Sequence, residues 1–365
     1  MQLKRVKVRR RSRSLRVESN DVVWFVTTRV IEERFWLHPL LANGAHPRNR
    51  SARRLCAHLE RRLDKRLLRW VARANERRGP HQPELTLPDA KRIAKGLIGS
   101  AFARAQKHHG VQVFALCAMS NHLHALVRTT RKNLAAFMRD VKARITEAVN
   151  LLTGKRGPLW ARRYDAQAVV DDEGCYERSG YLLDNPRKAN LVADPEHWPG
   201  LNLAYGLCDE DRLQFEYLDR SAWHEADSPP DLSPFFCAAT LELSPLPGCE
   251  GMSRAAYRES ARSWIAATRA KHESQLEPAE RERFKRPLGI DKVLQAELET
   301  RPKEASFSER PYVFGRSDMC KRYTQAVVAI AQRHAELSEL PQRRTSAEAS
   351  GQDLPPARAA RRSRV

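Results

Sequence analysis

The sequence predicts an α+β sandwich with helices packed on one face of a sheet. Three observations predict it. Short runs rich in β-branched and aromatic residues alternate with longer stretches of helical period. The order they imply is strand, helices, strand, strand, helix, strand, helix. The two middle strands adjoin through a two-residue turn, so a hairpin separates the helical segments.

Each element has a local reason. Val22–Thr28 (VVWFVTT) is short and apolar, which predicts a buried strand. Residues 38–50 hold His, Pro, Asn and Gly and predict a loop. From Ala52 a helix is predicted, because Leu55, Leu59, Leu63, Leu67 and Val71 recur every four residues. The Gly79–Pro83 segment ends it. A second helix is predicted over Asp89–His108, with Ile93, Leu97, Ile98, Phe102 and Ala105 on one side. Val111–Met119 is apolar on both faces after Gln112, as in a central strand.

Ser120–Asn121 is the turn. His122–Thr129 (HLHALVRT) then alternates, placing Leu123, Ala125 and Val127 toward a core. His122, His124 and Arg128 share the other face, off the core. Asn133 is the expected N-cap of a helix bearing Leu134, Phe137, Val141, Ile145, Ala148 and Leu152. A TGKRGP loop leads to a strand at Ala166–Val170. Asp171–Asn185 predicts a helix stopped by Pro186. The natural match to this order is the ferredoxin-like (RRM-like) split βαβ.

Beyond Tyr205 the character changes. Residues 206–235, which include HEADSPPDLSPF, predict a linker. Residues 236–340 predict a helical extension, with helices near Ser253–Glu273, Pro278–Lys285, Ile290–Leu298 and Ser317–Ser338, the last capped by Ser317. The domain plan is therefore a disordered basic arm at 1–19, a folded α+β domain at 20–205 with an insertion at about 44–87, the linker, the extension, and a disordered basic tail at 341–365.

The 365 residues carry 65 Lys+Arg against 44 Asp+Glu, a net charge of +21. Such a surplus points to a polyanionic partner, because cations placed near phosphates release condensed counterions. Eight of the cations lie in residues 1–17, and 12 lie between Arg48 and Arg78 against three acids. No apolar run is long enough to span a membrane. The basic N-terminus lacks the apolar stretch of a secretory signal. The seven scattered cysteines form no C-x-x-C pair, which fits a reduced cytoplasmic protein. The absence of a P-loop, of H-E-x-x-H and of a deaminase signature leaves ATP hydrolysis, zinc proteolysis and base deamination without support.

Three constellations can carry chemistry. His122 and His124, at i and i+2 of a strand, point the same way. They either bind one divalent metal or form a surface pair beside a hairpin. Tyr181 and Asn185 lie one helical turn apart. They either supply a nucleophile and an oxygen ligand, or a core ring and a helix cap. In KRGPLWARRY, the cations Lys155, Arg156, Arg162 and Arg163 interleave with Trp160 and Tyr164. That pattern suits phosphate contacts and base stacking, or an ordinary basic loop with a buried Trp160. Arg128 adds a cation to the histidine face.

Together, MSNHLHALV (Met119–Val127), LWARRYDAQAVV (Leu159–Val170) and YLLDNPRKANLV (Tyr181–Val192) resemble the single-tyrosine HUH transposases of the IS200/IS605 type. The likeness is strongest to the REP-associated tyrosine transposases, over residues 20–205. The resemblance implies a ferredoxin-like HUH sandwich, with His122, His124 and Asn185 as ligands of Mg²⁺ or Mn²⁺. It implies Tyr181 as the nucleophile that cleaves and rejoins single-stranded, hairpin-bearing DNA through a 5′-phosphotyrosine, without ATP. Bacterial cytoplasm, with nucleoid association when bound to DNA, is the implied location.

Four departures from the family pattern stand out. Ser120 replaces Pro, Asn190 replaces Gly, and the insertion and the extension are additional. Asn tolerates the left-handed conformation that Gly adopts.

Two other functions share these residues. One is a silent nucleic-acid-binding protein on the same fold. The other is a metal-dependent nuclease that uses water. The sequence leaves monomer and homodimer equally open.

Overall fold

Strand β1 (Val23–Arg29) forms where the sequence predicts, and every residue of it except Arg29 is buried. The computed structural model describes residues 22–42, 50–79, 82–208, 210–301 and 313–339. Side chains are described for these residues except at 50–60, 280, 283, 330–331 and 333–339. The arm at 1–19 and the tail at 341–365 lie outside the described residues. The chain divides into two units, Glu18–Tyr323 and a second made of Met1–Val17 with Thr324–Val365.

After β1, residues 38–42 are not loop, because α1 (Pro39–Ala42) makes one buried turn. His38 organises it by accepting the Leu40 N–H at Nδ1, 3.1 Å away. Helix α2 (Arg50–Glu76) is the basic helix of the insertion. Its apolar stripe buries Leu63, Leu67, Trp70 and Val71. Burying each such side chain stabilises by roughly 1.5–3 kcal/mol, so this helix is part of the core.

Helix α3 (Leu87–His109) starts with a capping box between Thr86 and Asp89 and ends on left-handed Gly110. Strands β2 (Val111–Ala118) and β3 (His122–Thr129) form the predicted hairpin. Helix α4 (Leu134–Thr153) follows at the predicted place. Asn133 precedes it but makes no capping bond; its Nδ2 donates to the His109 carbonyl at 2.9 Å. Strand β4 (Asp165–Val169) pairs antiparallel with β1.

Helix α5 (Asp172–Leu183) ends ahead of Pro186, two residues earlier than predicted. A further turn, α6 (Asn185–Lys188), carries Pro186 in its first turn. Proline is tolerated there because that N–H has no helical partner. Asn190 beyond it has φ +55°, the left-handed conformation anticipated for a residue replacing Gly.

A short strand, β5 (Asn202–Ala204), adds to the edge of β2. The stretch at 206–235 is not a linker. It contains β6 (Arg212–Leu218) and α7 (Arg220–Glu225), and β6 pairs with β7 (Phe236–Glu242). Its polar composition suggests a tether, yet β6 alternates and rides on α3. A Cβ on Gly96 would lie 1.8 Å from the Glu216 carbonyl oxygen, and one on Gly99 would lie 2.4 Å from the Phe215 ring. Two glycines in α3 thus make room for the hairpin.

Helices α8 (Arg254–Ser274), α9 (Pro278–Phe284) and α10 (Ile290–Gln295) follow the predicted order. The extension also holds strands, β7 and the two-residue β8 (Val313–Phe314). Helix α11 (Ser317–Glu339) begins at Ser317 itself, so Ser317 is its first residue and not its cap.

The main sheet runs β5-β2-β3-β1-β4-β8, antiparallel except for β4 with β8. The fold is mixed, with helices on a mostly antiparallel sheet. Helices do not keep to one face. Helix α5 packs on β2 and β3 on the side that carries His124. Among the described residues, no helix is long and apolar enough to cross a membrane.

Candidate active site

The β1–β3 register builds the first half of the site. Thr27 stands opposite His124, and Arg29 opposite His122. The two imidazoles share a face, with ring centroids 4.9 Å apart and planes at 79°. Asn121 Oδ1 accepts from His122 Nδ1 at 2.7 Å, which leaves the lone pair on Nε2. His124 Nδ1 lies 2.9 Å from Thr27 Oγ1. Phe25, two residues before Thr27, stacks on His124 at 5.3 Å.

His124 is not off the core as its polarity suggests. It is 1% exposed, because α5 covers this face, whereas His122 is half-buried. The alternation of β3 is as predicted, but both faces of the strand are covered.

The second half comes from α5. Asp171 caps it by accepting the Gly174 N–H at 2.7 Å, and Asp172 and Glu173 occupy the first turn, where the helix dipole favours acids. The Tyr181 ring lies edge-on to Phe25 at 5.9 Å and to His124 at 6.2 Å. Lys188 Nζ sits 4.1 Å from the centre of the Tyr181 ring, and the Arg178 guanidinium 5.6 Å from it. Three of the four predicted residues, His122, His124 and Tyr181, therefore meet in one cluster. The fourth, Asn185, is buried at the start of α6.

The extension holds this helix in place. A Cβ on Gly180 would lie 2.5 Å from Thr268 Oγ1 and 3.0 Å from the Trp264 carbonyl oxygen, so α8 closes directly on α5. Asp184 is fully buried and accepts from Arg187 at 3.0 and 3.2 Å and from Arg269 of α8 at 3.2 Å. Arg187 also pairs with Glu273 at 3.0 Å. The break between α5 and α6 is thus clamped by charge from α8.

The predicted DNA-contacting residues divide. Arg128 lies six positions along β3 from His122, bonded to Gln112 Oε1 at 2.7 Å, so it stands away from the cluster. Tyr164 is 5% exposed and belongs to the core, leaving no ring face for a base. Trp160 is half-buried, and its N–H donates to the Lys142 carbonyl and to Thr146 Oγ1 at 3.0 and 3.1 Å. It anchors the loop to α4. Burial pushes Lys142 beside it down to about 8. Arg156, Arg162 and Arg163 are exposed and Lys155 is half-exposed, which suits phosphate contact. Arg162 also pairs with Asp165 at 2.8 Å.

Sequence reasoning missed Thr27, Phe25, Arg178 and Lys188. Arg178 stands three before Tyr181 in α5, so helical spacing was a usable signal for it, whereas Lys188 lies beyond the α5–α6 break. Thr27 and Phe25 depend on cross-strand register and carry no local mark.

Residues 90–174 match the family described as Transposase IS200 like. The match covers less than a quarter of the chain, includes both histidines and ends before Tyr181. The resemblance drawn from the short motifs is thus shared by a family match over the sheet hairpin and its two helices. A solved REP-associated tyrosine transposase bound to a REP hairpin is similar at 14% identity, with a TM-score of 0.31, over 52% of this chain and 81% of that one. No curated protein matches the chain.

Proposed function

We propose that this chain is a transposase-type strand transferase that cleaves and rejoins single-stranded, hairpin-bearing DNA, with Tyr181 as nucleophile. The observation that carries it is the Tyr181 ring 6.2 Å from His124, whose neighbour His122 offers a second imidazole 4.9 Å away. The IS200-like match over residues 90–174 supports a transposase role. The strand order β2-β3-β1-β4, with helices joining β1 to β2 and β3 to β4, supports the ferredoxin-like reading.

The donor set fits a divalent cation. His122 keeps its lone pair on Nε2, and a Thr27 oxygen that accepts from His124 Nδ1 leaves the second ring in the same tautomer. His122, His124 and the Asn185 amide oxygen would hold it. When bound, Mg²⁺ or Mn²⁺ supplies Lewis-acid polarisation of the scissile phosphate.

The chain's own residues do the rest. The Tyr181 oxygen gives up its proton and forms a bond to phosphorus. The bond to the 3′ oxygen breaks, and that oxygen leaves as a hydroxyl. The 5′ end stays on Tyr181 as a phosphodiester, and attack by a 3′ hydroxyl reverses the step. Lys188 and Arg178 set positive charge beside the Tyr181 ring, which favours a developing phenolate. Exposed Arg156, Arg162 and Arg163 grip the backbone.

Incubation with labelled hairpin DNA and Mn²⁺ tests this. The expected product is a covalent protein–DNA adduct that Tyr181→Phe abolishes. Strand scission without an adduct identifies a hydrolytic nuclease instead, and binding without scission identifies a silent binding protein.

A further inference from the structure

A cavity of about 620 Å³ lies outside the catalytic cluster, lined by Trp36, Trp70, Arg73, Arg77, Lys155 and Arg156, with Glu299 on its wall. Four cations, two indoles and one carboxylate face one space. Volumes of this order hold a ligand the size of a nucleotide. Helix α2 of the insertion supplies Trp70 and Arg73, the turn after it supplies Arg77, and the loop after α4 supplies Lys155 and Arg156.

The walls are bolted together. Gly154 has φ +65°, and a Cβ there would lie 2.8 Å from the Ala74 Cα, so only glycine lets α2 approach the end of α4. Arg156 donates to the Arg77 carbonyl at 3.1 Å, and Arg78 to the Leu151 carbonyl at 2.8 Å. The Phe35 N–H donates to the Leu298 carbonyl at 3.0 Å, fixing the wall that carries Glu299.

The two indoles differ. Trp70 is buried, with His38 edge-on at 5.4 Å. Trp36 is half-buried, and Lys155 Nζ lies 5.8 Å from its ring centre. Trp36 therefore keeps surface for stacking. The segment bearing it is tied to the turn before His122, since the Leu37 N–H donates to the Ser120 carbonyl at 2.8 Å.

We infer that this cavity takes one unpaired nucleotide of a single-stranded segment, its base on Trp36 and its phosphates among Arg73, Arg77, Lys155 and Arg156. The chemistry selects this class. Cations follow a phosphodiester backbone, and an indole stacks on any unpaired base. Glu299 opposes a bare polyanion but accepts a base N–H, the thymine imide included. The inference deepens the DNA-acting reading and rests on it for the substrate class.

Tryptophan fluorescence of the full chain, titrated with single-stranded tetrathymidylate, tests it. The oligonucleotide should quench the wild-type chain, and Trp36→Phe should remove most of that quench. Arg73→Ala/Arg77→Ala changes two exposed side chains and should weaken binding by about tenfold or more. Equal quenching in wild type and Trp36→Phe overturns the inference, as does failure of tetrathymidylate to bind. Adduct formation on hairpin DNA, run beside it, separates the two claims. A Trp36-dependent quench without any adduct upholds the cavity and defeats the strand-transfer reading.

Discussion

Thr27 Oγ1 lies 2.9 Å from His124 Nδ1, across the β1–β3 ladder. The bond orients a buried imidazole that has covering groups on both sides, Phe25 stacked and Tyr181 edge-on. A partner on the second ring nitrogen fixes tautomer and orientation in histidine metal sites.

Thr27→Val keeps the branched shape that suits a strand and removes this partner. The Mn²⁺ concentration that half-saturates adduct formation should rise by about 10–100-fold. An unchanged half-saturation means that Thr27 does not orient the ligand.

Lys188 Nζ sits 4.1 Å from the Tyr181 ring centre. Lys188→Met should slow single-turnover adduct formation at saturating DNA by on the order of tenfold, since about 1.4 kcal/mol is one decade in rate. Lys188→Arg keeps the charge and should recover most of the rate. Equal rates for Met and Arg would rule out a role for the charge.

Asp184 is fully buried and bonded to Arg187 and Arg269. Asp184→Ala leaves Arg187, itself buried, with only the exposed Glu273 carboxylate. Removing one partner of a buried pair costs about 3–5 kcal/mol. Denaturant unfolding should show a loss of that order, and the variant's adduct yield should fall because the α5–α6 break is no longer clamped.

Burial pushes His38 down to about 3, and the nearby Arg66 charge acts in the same direction. The ring is neutral when folded, with Nε2 donating to the Val293 carbonyl at 3.2 Å and Nδ1 accepting from Leu40. The sign follows from a depressed folded-state value. Above the ordinary value of about 6.5 neither state holds the proton, so this contribution is fully present. Between there and about 3 only the unfolded chain binds it, and stability falls by about 1.4 kcal/mol per pH unit. His38→Gln should flatten unfolding free energy over that acid range. A slope equal to wild type would assign the acid loss to carboxylates.

Much of the molecule was legible in the chain. The alternation of HLHALVRT predicts β3, its histidine face and the hairpin with β2, because strand geometry has a period of two. The four-residue leucine spacing predicts α2, and the YLLDNPRKANLV segment places Tyr181 on a helix with Asn190 in a left-handed turn. Residue type and local period settle these features, since they depend on neighbours within one or two turns.

Tertiary structure decided the rest. The 206–235 stretch reads as a tether, and becomes β6 and α7 only because Gly96 and Gly99 let β6 lie on α3. Tyr164 reads as a stacking ring and is core, whereas Trp36, which carries no local mark, faces a cavity. His124 reads as exposed and is covered by α5, itself held by α8 more than 80 residues further on. Burial and cross-strand register arise from contacts between distant segments, and no local pattern encodes which segment arrives. The sequence by itself determined which chemical groups the site contains; packing determined which of them meet.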